Sequence, residues 1–333
     1  MRRRRPSRAS TKEALLAADA DLSLAPAAPR RVNPVQAFWL SLRPHQWTKN
    51  LVVFAAPALS KHLFERGPLE QSLLAFAIFC ALSGTVYLLN DVADVERDRL
   101  HPRKRLRPIA SGALAPRTAV VLAVVLGLGS LALSTTLGVR FLGCAALYLG
   151  LNILYSFWLK EVVILDVLSI SLGFVLRAVA GGVAIAVQQI SDWLLVCTLL
   201  LALFLALAKR RHELVSLTTS ATGHRKILAE YSPYLLDQMI SVVTASCLTA
   251  YAFYTMAPDT VQKYRTERLA WTIPFVLYGI FRYLYLVHQK EKGGSPTDIL
   301  ATDRPLLLNV FLWALALLWI VYTAGGNPMP LAP

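Results

Sequence analysis

The sequence predicts an all-α membrane protein, a bundle of about nine transmembrane helices with a cytoplasmic N-terminus. Three observations predict it. Hydrophobic residues make up 56% of the 333 positions and charged residues 16%, whereas soluble domains carry roughly 25% charged residues. Apolar runs long enough to cross about 30 Å of hydrocarbon recur along the chain. Basic residues concentrate in alternate segments between these runs, and such an arrangement sets the orientation of a membrane protein.

The chain divides into a tail and a membrane domain. Residues 1–33 contain many arginines and prolines but no apolar run, so we expect a disordered, basic cytoplasmic tail. Residues 34–333 form the transmembrane domain. Its predicted spans are 35–60, which contains prolines, then 69–89, 118–138, 140–159, 162–187, 193–208, 238–257, 270–287 and 306–324.

Two polar segments between spans carry most of the basic residues. Segment 90–117 contains Arg97, Arg99, Arg103, Lys104, Arg105, Arg107 and Arg117, and segment 209–237 begins with Lys209-Arg210-Arg211. The positive-inside rule places both on the cytoplasmic side, together with the tail. Because the net charge of +14 lies mainly between apolar runs, it indicates membrane orientation, and we expect no nucleic-acid partner.

The sharpest local pattern is Asn90-Asp91-Val92-Ala93-Asp94-Val95-Glu96-Arg97-Asp98, directly after the second apolar run. On a continuing helix, Asp91, Asp94 and Asp98 share one face. Carboxylates this close repel one another unless a cation joins them, and Mg²⁺ commonly joins one or two carboxylates to substrate phosphates. We predict that the three aspartates bind Mg²⁺ and a diphosphate. A solvated acidic turn is the alternative.

A basic run follows this motif. Its members are Arg103, Lys104, Arg105 and Arg107. Arginine and lysine can contact the anionic oxygens that a metal leaves uncovered, so we predict phosphate-binding roles here. The alternative for part of the run is topology or contact with anionic lipid.

Two charged residues, Asp166 and Arg177, lie inside the fifth apolar run. They are eleven residues apart, which is about three helical turns and nearly the same face. Charges at this depth usually line a cavity. We expect cavity lining, with a partner for each on another helix, and structural ion pairing is the alternative.

The Asn-Asp-x-x-Asp-x-x-x-Asp motif resembles the first Asp-rich motif of the UbiA superfamily of intramembrane prenyltransferases. The resemblance spans most of residues 36–324. It implies a Mg²⁺-dependent transferase whose active-site cavity opens to the cytoplasmic face and laterally to lipid. It also implies phosphate-binding roles for five residues outside the aspartates, namely Lys49, Asn50, Asn90, Tyr155 and Lys160.

Four stretches are similar to one subgroup, the decaprenyl-phosphate phosphoribosyltransferases. They are Arg43–Asn50, Glu96–Ala110, Leu176–Gly182 and Lys209–Leu214. This resemblance implies phosphoribosyl diphosphate as the donor and a polyprenyl phosphate lipid as the acceptor. It also implies the bacterial plasma (inner) membrane as the location.

The fourth stretch separates this subgroup from aromatic prenyltransferases, which carry a second carboxylate-rich motif there. This chain instead has Lys209, Arg210 and Arg211, with Glu213 as the nearby acid. More cations and fewer metal ligands suit a donor with an additional phosphate. We predict that Lys209 and Arg210 bind phosphate, and Glu213 is a candidate second metal ligand. A positive-inside flank is the alternative.

These interpretations lead to one predicted reaction, the transfer of 5-phosphoribose to a polyprenyl phosphate with release of diphosphate. Two alternatives stay open. One is prenyl transfer from a prenyl diphosphate to an aromatic or other small acceptor, and the other is a transporter.

Overall fold

Helices form nearly all of the regular structure in this computed structural model, which describes residues 33–101, 104–217, 226–290, 296–325 and 328–331. The predicted tail, 1–33, lies almost wholly outside these ranges. The α-helices are α1 Pro34–Ser41, α2 Ala55–Leu59, α3 Arg66–Ala93, α4 Val95–Leu100, α5 Pro116–Ser134, α6 Val139–Phe157, α7 Leu165–Ala184, α8 Asp192–Leu217, α9 Pro233–Met256, α10 Pro258–Tyr264, α11 Ile273–Gln289, α12 Pro296–Thr302 and α13 Arg304–Thr323.

Eight helices in the described part of the chain are long and apolar enough to cross a membrane. They are α3, α5, α6, α7, α8, α9, α13 and α11 together with the short 3-10 helix that precedes it. The predicted multi-pass helical membrane fold is therefore confirmed, with eight such helices where the sequence analysis expected about nine.

The first predicted span, 35–60, accounts for the difference. It forms α1, a 3-10 helix at Pro44–Phe54 and α2 in succession. Proline lacks a backbone N–H and clashes with the preceding turn, so it interrupts a helix. Pro44 follows Arg43, whose left-handed backbone (φ 53°, ψ 62°) turns the chain between α1 and the 3-10 helix.

Helix α7 lies at the centre of the bundle. It packs against α3, α6, α8, α2 and the 3-10 helix Pro44–Phe54. A Cβ at Gly181 would lie 1.8 Å from the carbonyl oxygen of Val53, so the absence of a side chain allows the two backbones to touch. Small residues commonly allow such close helix packing in membrane proteins. This close approach also holds Asn50 in the interior, where it is fully buried.

Segment 209–237 was predicted to be a polar loop, but helix α8 continues through its beginning to Leu217. Lys209, Arg210 and Glu213 therefore lie on a helix. Residues three and four apart are neighbours on a helical surface, and both basic side chains form ion pairs with Glu213.

Candidate functional site

The first polar cluster lies where α3 ends and consists of Asp91, Asp98, Arg43 and Arg107. Arg107 Nη1 donates to Asp91 Oδ1 at 3.0 Å and to Asp98 Oδ2 at 2.6 Å. Arg43 Nη2 donates to the same Asp91 oxygen at 2.5 Å. Both carboxylates are buried, whereas the Arg107 side chain keeps 28% of its surface exposed. The two carboxylates thus converge on one partly accessible cationic nitrogen.

The geometry at Asp94 differs from the continuous helix that the sequence analysis assumed. Helix α3 ends at Ala93, Asp94 has φ −98° and ψ 8°, and α4 begins at Val95. Backbone hydrogen bonds from Asp94 N to Asn90 O and from Asp98 N to Asp94 O continue across this position, but Asp94 has other ion-pair partners than Asp91 and Asp98. The Asp94 carboxylate lies 3.8 Å from Lys160 Nζ and 3.9 Å from Arg97 Nη1. The first cluster therefore brings together two of the three predicted carboxylates, and Asp94 faces a separate pair of cations.

Whether a metal ion fits the first cluster depends on the carboxylate oxygens that the cluster offers as ligands. Within the described ranges, no group of three His, Cys, Asp or Glu side chains is arranged to hold a metal ion. However, Mg²⁺ typically takes one or two protein carboxylates and completes its shell with water and substrate phosphates. Asp91 and Asp98 already share one cationic nitrogen, so the pair fits that requirement once Arg107 withdraws.

Arg43 and Arg107 were not singled out by sequence reasoning. Arg107 entered only as one member of a basic run, and Arg43 only as the first residue of a stretch typical of the family. The available signal was Pro44, which turns the chain just after Arg43. The guanidinium of Arg43 also lies over the ring of Tyr87, 4.8 Å from its centre.

The structure describes two of the remaining residues of the basic run. Arg105 is exposed and Lys104 is half-buried beside the first cluster. Arg103 lies outside the described residues. Asn90, also predicted to bind phosphate, is half-buried, and its carbonyl oxygen accepts a hydrogen bond from Asp94 N.

The second polar cluster surrounds Arg210 on α8. Arg210 Nε donates to Asp166 Oδ2 and Nη1 to Glu213 Oε2, both at 2.6 Å, while Nη2 donates to Tyr155 OH at 3.2 Å. Tyr231 donates its hydroxyl hydrogen to Asp166 Oδ1 at 2.8 Å. Burial raises the pKa of Tyr231 to about 12, so this phenol stays protonated as a donor at neutral pH.

This arrangement departs from two predicted roles. All three guanidinium nitrogens of Arg210 donate to protein acceptors, and its side chain is only 2% exposed. Direct phosphate binding by Arg210 would require breaking this cluster. Glu213 is paired with Arg210 and lies 3.7 Å from Lys209 Nζ, so it neutralises cations in this state. Lys209 is more exposed and remains a predicted phosphate ligand.

A third polar group, the intramembrane network, surrounds Arg177 on α7. Arg177 donates to Asn50 Oδ1 from Nε at 2.7 Å, to Gly173 O from Nη1 at 2.9 Å and to Tyr148 OH from Nη2 at 2.7 Å. Asp166 bonds to α8 instead. As predicted, Asp166 and Arg177 do not pair with each other, and each meets a side chain from another helix.

Lys49 lies between the clusters. It is half-buried and experiences electrostatic repulsion from Lys209, Arg177 and Arg43. Lys49 is therefore within electrostatic reach of three other cations and of one carboxylate, that of Asp298. Such a concentration of positive charge favours an anionic ligand.

Comparisons with known proteins agree with this geometry. The chain matches the UbiA prenyltransferase family over residues 51–297. It is 33% identical over 290 residues to the decaprenyl-phosphate phosphoribosyltransferase of Corynebacterium glutamicum, covering 85% of this chain and 86% of that protein. The protein of the same name from Mycolicibacterium smegmatis is 32% identical over 292 residues, covering 84% and 91%.

A solved structure shares the fold. The UbiA homolog from Archaeoglobus fulgidus, bound to GPP and Mg²⁺, superposes with a TM-score of 0.66 at 16% identity, covering 86% of this chain and 100% of that one. The family match spans well over half of the sequence, and the structural likeness covers 86% of it. The chain therefore belongs to the UbiA prenyltransferase family.

Proposed function

We propose that this protein transfers 5-phosphoribose from phosphoribosyl diphosphate to a membrane-embedded polyprenyl phosphate and releases diphosphate. Its similarity to two decaprenyl-phosphate phosphoribosyltransferases over more than four fifths of the chain supports this function. The structural observation that carries it is the unequal distribution of carboxylates. Asp91 and Asp98 converge on one point, whereas the acids of the second cluster are already neutralised by Arg210.

This distribution favours a donor held by a single metal-diphosphate site plus direct cation contacts. A second metal would need a second set of available carboxylates, and Glu213 is engaged by two cations. Lys209 supplies positive charge for an additional phosphate such as the 5-phosphate of the donor. A prenyl diphosphate carries no such group.

Asp91 and Asp98 would hold Mg²⁺ against the donor diphosphate, with Asp94 as a third acid close by. When bound, the ion lowers the charge on the departing diphosphate. Arg43 and Arg107 border these carboxylates with partly exposed guanidinium groups. They would contact the diphosphate oxygens, and Lys160 would add a further cation at the same edge.

In the reaction, the bond between the ribose ring carbon and the diphosphate oxygen breaks, and an oxygen of the lipid phosphate forms the new bond. Positive charge develops on the ring carbon, as in other glycosyl transfers. The lipid phosphate is ionised near neutral pH, so no general base is required. The protein's part is to position two anionic substrates and to compensate the charge of the leaving group.

The location and orientation belong to this proposal. The bacterial origin of the relatives supports the plasma (inner) membrane. The distribution of basic residues supports a cytoplasmic N-terminus and cytoplasmic access for the water-soluble donor. The lipid acceptor reaches the site between helices from the bilayer.

Purified protein in detergent tests the reaction. One mixture contains radiolabelled phosphoribosyl diphosphate and polyprenyl phosphate, and the other contains radiolabelled prenyl diphosphate and aromatic acceptors. We expect label in the lipid fraction of the first mixture with Mg²⁺, its loss with a chelator, and its return when Mg²⁺ is restored.

The second mixture tests prenyl transfer, the general activity that the family name describes. Activity there, together with no transfer in the first mixture, would refute the phosphoribosyl proposal. Transfer that persists unchanged in the chelator would refute the metal dependence while leaving the reaction in place.

A further inference from the structure

Arg177 has no carboxylate partner among the described residues. Its side chain lies midway along α7, only 7% exposed. Its three hydrogen-bond acceptors, on Asn50, Gly173 and Tyr148, are all neutral. The faces of Tyr148 and Phe174 lie 4.6 and 5.0 Å from the guanidinium, and they attract the cation without neutralising it.

The other partly or fully buried arginines with long-range contacts behave differently. Arg43, Arg107, Arg210, Arg211 and Arg282 each form an ion pair with an aspartate. A buried cation without a counter-ion is costly, most of all at membrane depth. Lys49 increases that cost because it and Arg177 repel each other. Among the described residues, Asp298 attracts Lys49, but no carboxylate forms an ion pair with Arg177.

The hydrogen bonds of Arg177 do not use all of its N–H donors. A guanidinium carries five N–H donors, and three of them, one on each nitrogen, are used within the network. One N–H on each Nη atom is left over. Two neighbouring N–H groups on a planar guanidinium match two oxygens of a phosphate.

The network lies deeper in the bundle than the first cluster. Cys80, Ser83, Tyr87 and Asp91 follow one face of α3. Ser83 Oγ contacts Asn50 and Tyr148 at 3.3 and 3.1 Å, and Tyr87 lies beneath Arg43. Eight residues separate Ser83 from Asp91, which corresponds to about 12 Å along a helix. A polar stripe thus connects the end of α3 with the interior.

We propose that Arg177, assisted by Lys49 and Tyr148, binds the phosphate of the lipid acceptor. This inference rests on the proposed function for the identity of the lipid. The donor is water-soluble and belongs at the polar end, where Asp91 and Asp98 lie. A phosphate on a hydrocarbon chain can reach an intramembrane cation while its tail remains in lipid.

Binding of radiolabelled farnesyl phosphate, measured without donor and without Mg²⁺, tests the assignment. We expect Arg177→Gln to weaken binding roughly 10- to 100-fold, the usual effect of losing charged hydrogen bonds, and Arg177→Lys to weaken it less. Binding of farnesol, which lacks the phosphate, should not change. Arg140→Gln removes the same charge from an exposed position at the start of α6 and should bind like wild type.

Donor binding separates the two phosphate sources. Arg177→Gln should bind phosphoribosyl diphosphate with Mg²⁺ as wild type does. If it loses donor binding and keeps farnesyl phosphate, the residue belongs to the donor site and the inference is wrong. If it binds both ligands normally, Arg177 is structural and the inference is equally wrong.

Two further measurements keep the test decisive if Arg177 variants fail to fold. Farnesyl phosphate should raise the Tm of the wild-type protein more than farnesol does, and Lys49→Gln should reduce that difference. Equal shifts by both lipids would overturn the proposal. Phosphate-dependent lipid binding without any phosphoribosyl transfer would instead refute the proposed function and leave this inference standing.

Discussion

Arg107 and Arg210 each lie between two carboxylates, but the two clusters differ in how those carboxylates are arranged. Arg107 uses one nitrogen, Nη1, for both Asp91 and Asp98. Arg210 uses separate nitrogens for Asp166 and Glu213 and a third for Tyr155. In the first cluster both carboxylates contact the same guanidinium nitrogen. In the second cluster each carboxylate contacts a different nitrogen of the guanidinium.

The arginines of the two clusters also differ in their exposure to solvent. Arg107 and Arg43 are partly exposed, while Arg210 and Asp166 are almost completely buried. The carboxylates of the first cluster are buried as well, but a partly exposed arginine can turn to solvent when it leaves them, whereas breaking a pair in which both partners are buried leaves an uncompensated charge. The first cluster is thus suited to exchange its cation during function, and the second to hold α7 and α8 together.

The largest expected effect is on catalysis, from Asp91→Asn. We expect phosphoribosyl transfer to fall by about 10³-fold, comparable to the loss of a principal charge-stabilising group, with little change in Tm because Arg43 and Arg107 can turn to solvent. Initial rates and thermal unfolding in detergent measure both quantities. Glu96→Gln, in the same motif and paired with exposed Arg99, is the control and should stay active. Near wild-type activity of Asp91→Asn would refute the metal-binding role.

The second effect is on stability, from Asp166→Asn. Loss of one partner from a buried pair costs about 3 kcal/mol or more, so we expect a clearly lower Tm and less folded protein. The folded fraction should retain activity. Asp237→Asn, which disturbs a more exposed pair with Arg211, should cost much less. Equal losses in the two variants would contradict the proposed difference between the clusters.

A third prediction concerns competition for the metal. Arg107→Gln removes the cation that occupies the Asp91 and Asp98 oxygens, so Mg²⁺ should bind more tightly without substrate, by up to about 5-fold, as expected for a partly exposed ion pair. Turnover should nevertheless fall because a phosphate contact is lost. The control is Arg105→Gln, which removes the same charge from an exposed position nearby. Calorimetric titration measures the affinity for Mg²⁺. Equal affinities in the wild type, Arg107→Gln and Arg105→Gln would refute the competition between Arg107 and Mg²⁺.

The smallest expected effect is from Tyr231→Phe. This change removes a hydrogen bond to Asp166 and one from the backbone N–H of Ile164, at a cost of about 1 kcal/mol. Because the phenol pKa is about 12, the loss should be the same on both sides of neutral pH. Tyr234→Phe alters an exposed tyrosine and serves as the control. A loss confined to one side of neutrality would contradict this account.

Several features of the site could be predicted from the sequence because they depend on local spacing. Asp91 and Asp98 were identified from their positions after an apolar run, and the basic character of Lys209–Leu214 was evident directly. The path at Asp94 could not be predicted, because a single residue leaves the helical region there and redirects its carboxylate to Lys160.

Partnerships between distant residues were also beyond the sequence. Arg177 meets Asn50 across 127 positions, and Arg210 meets Asp166 across 44. Nothing in the composition of either helix selects one partner over another polar residue at similar depth. The choice depends on how closely the helices approach, as at Gly181, where the 3-10 helix touches α7.

The sequence by itself determined the membrane fold, the polar edge and its family, because hydropathy, charge asymmetry and motif spacing are all local properties. Only the tertiary structure decided which carboxylates share a cation, which arginine is sequestered and which arginine has no carboxylate partner within the described ranges. The reason is that the strength and the cost of a charge depend on burial and on its neighbours, and these are fixed only when the helices pack.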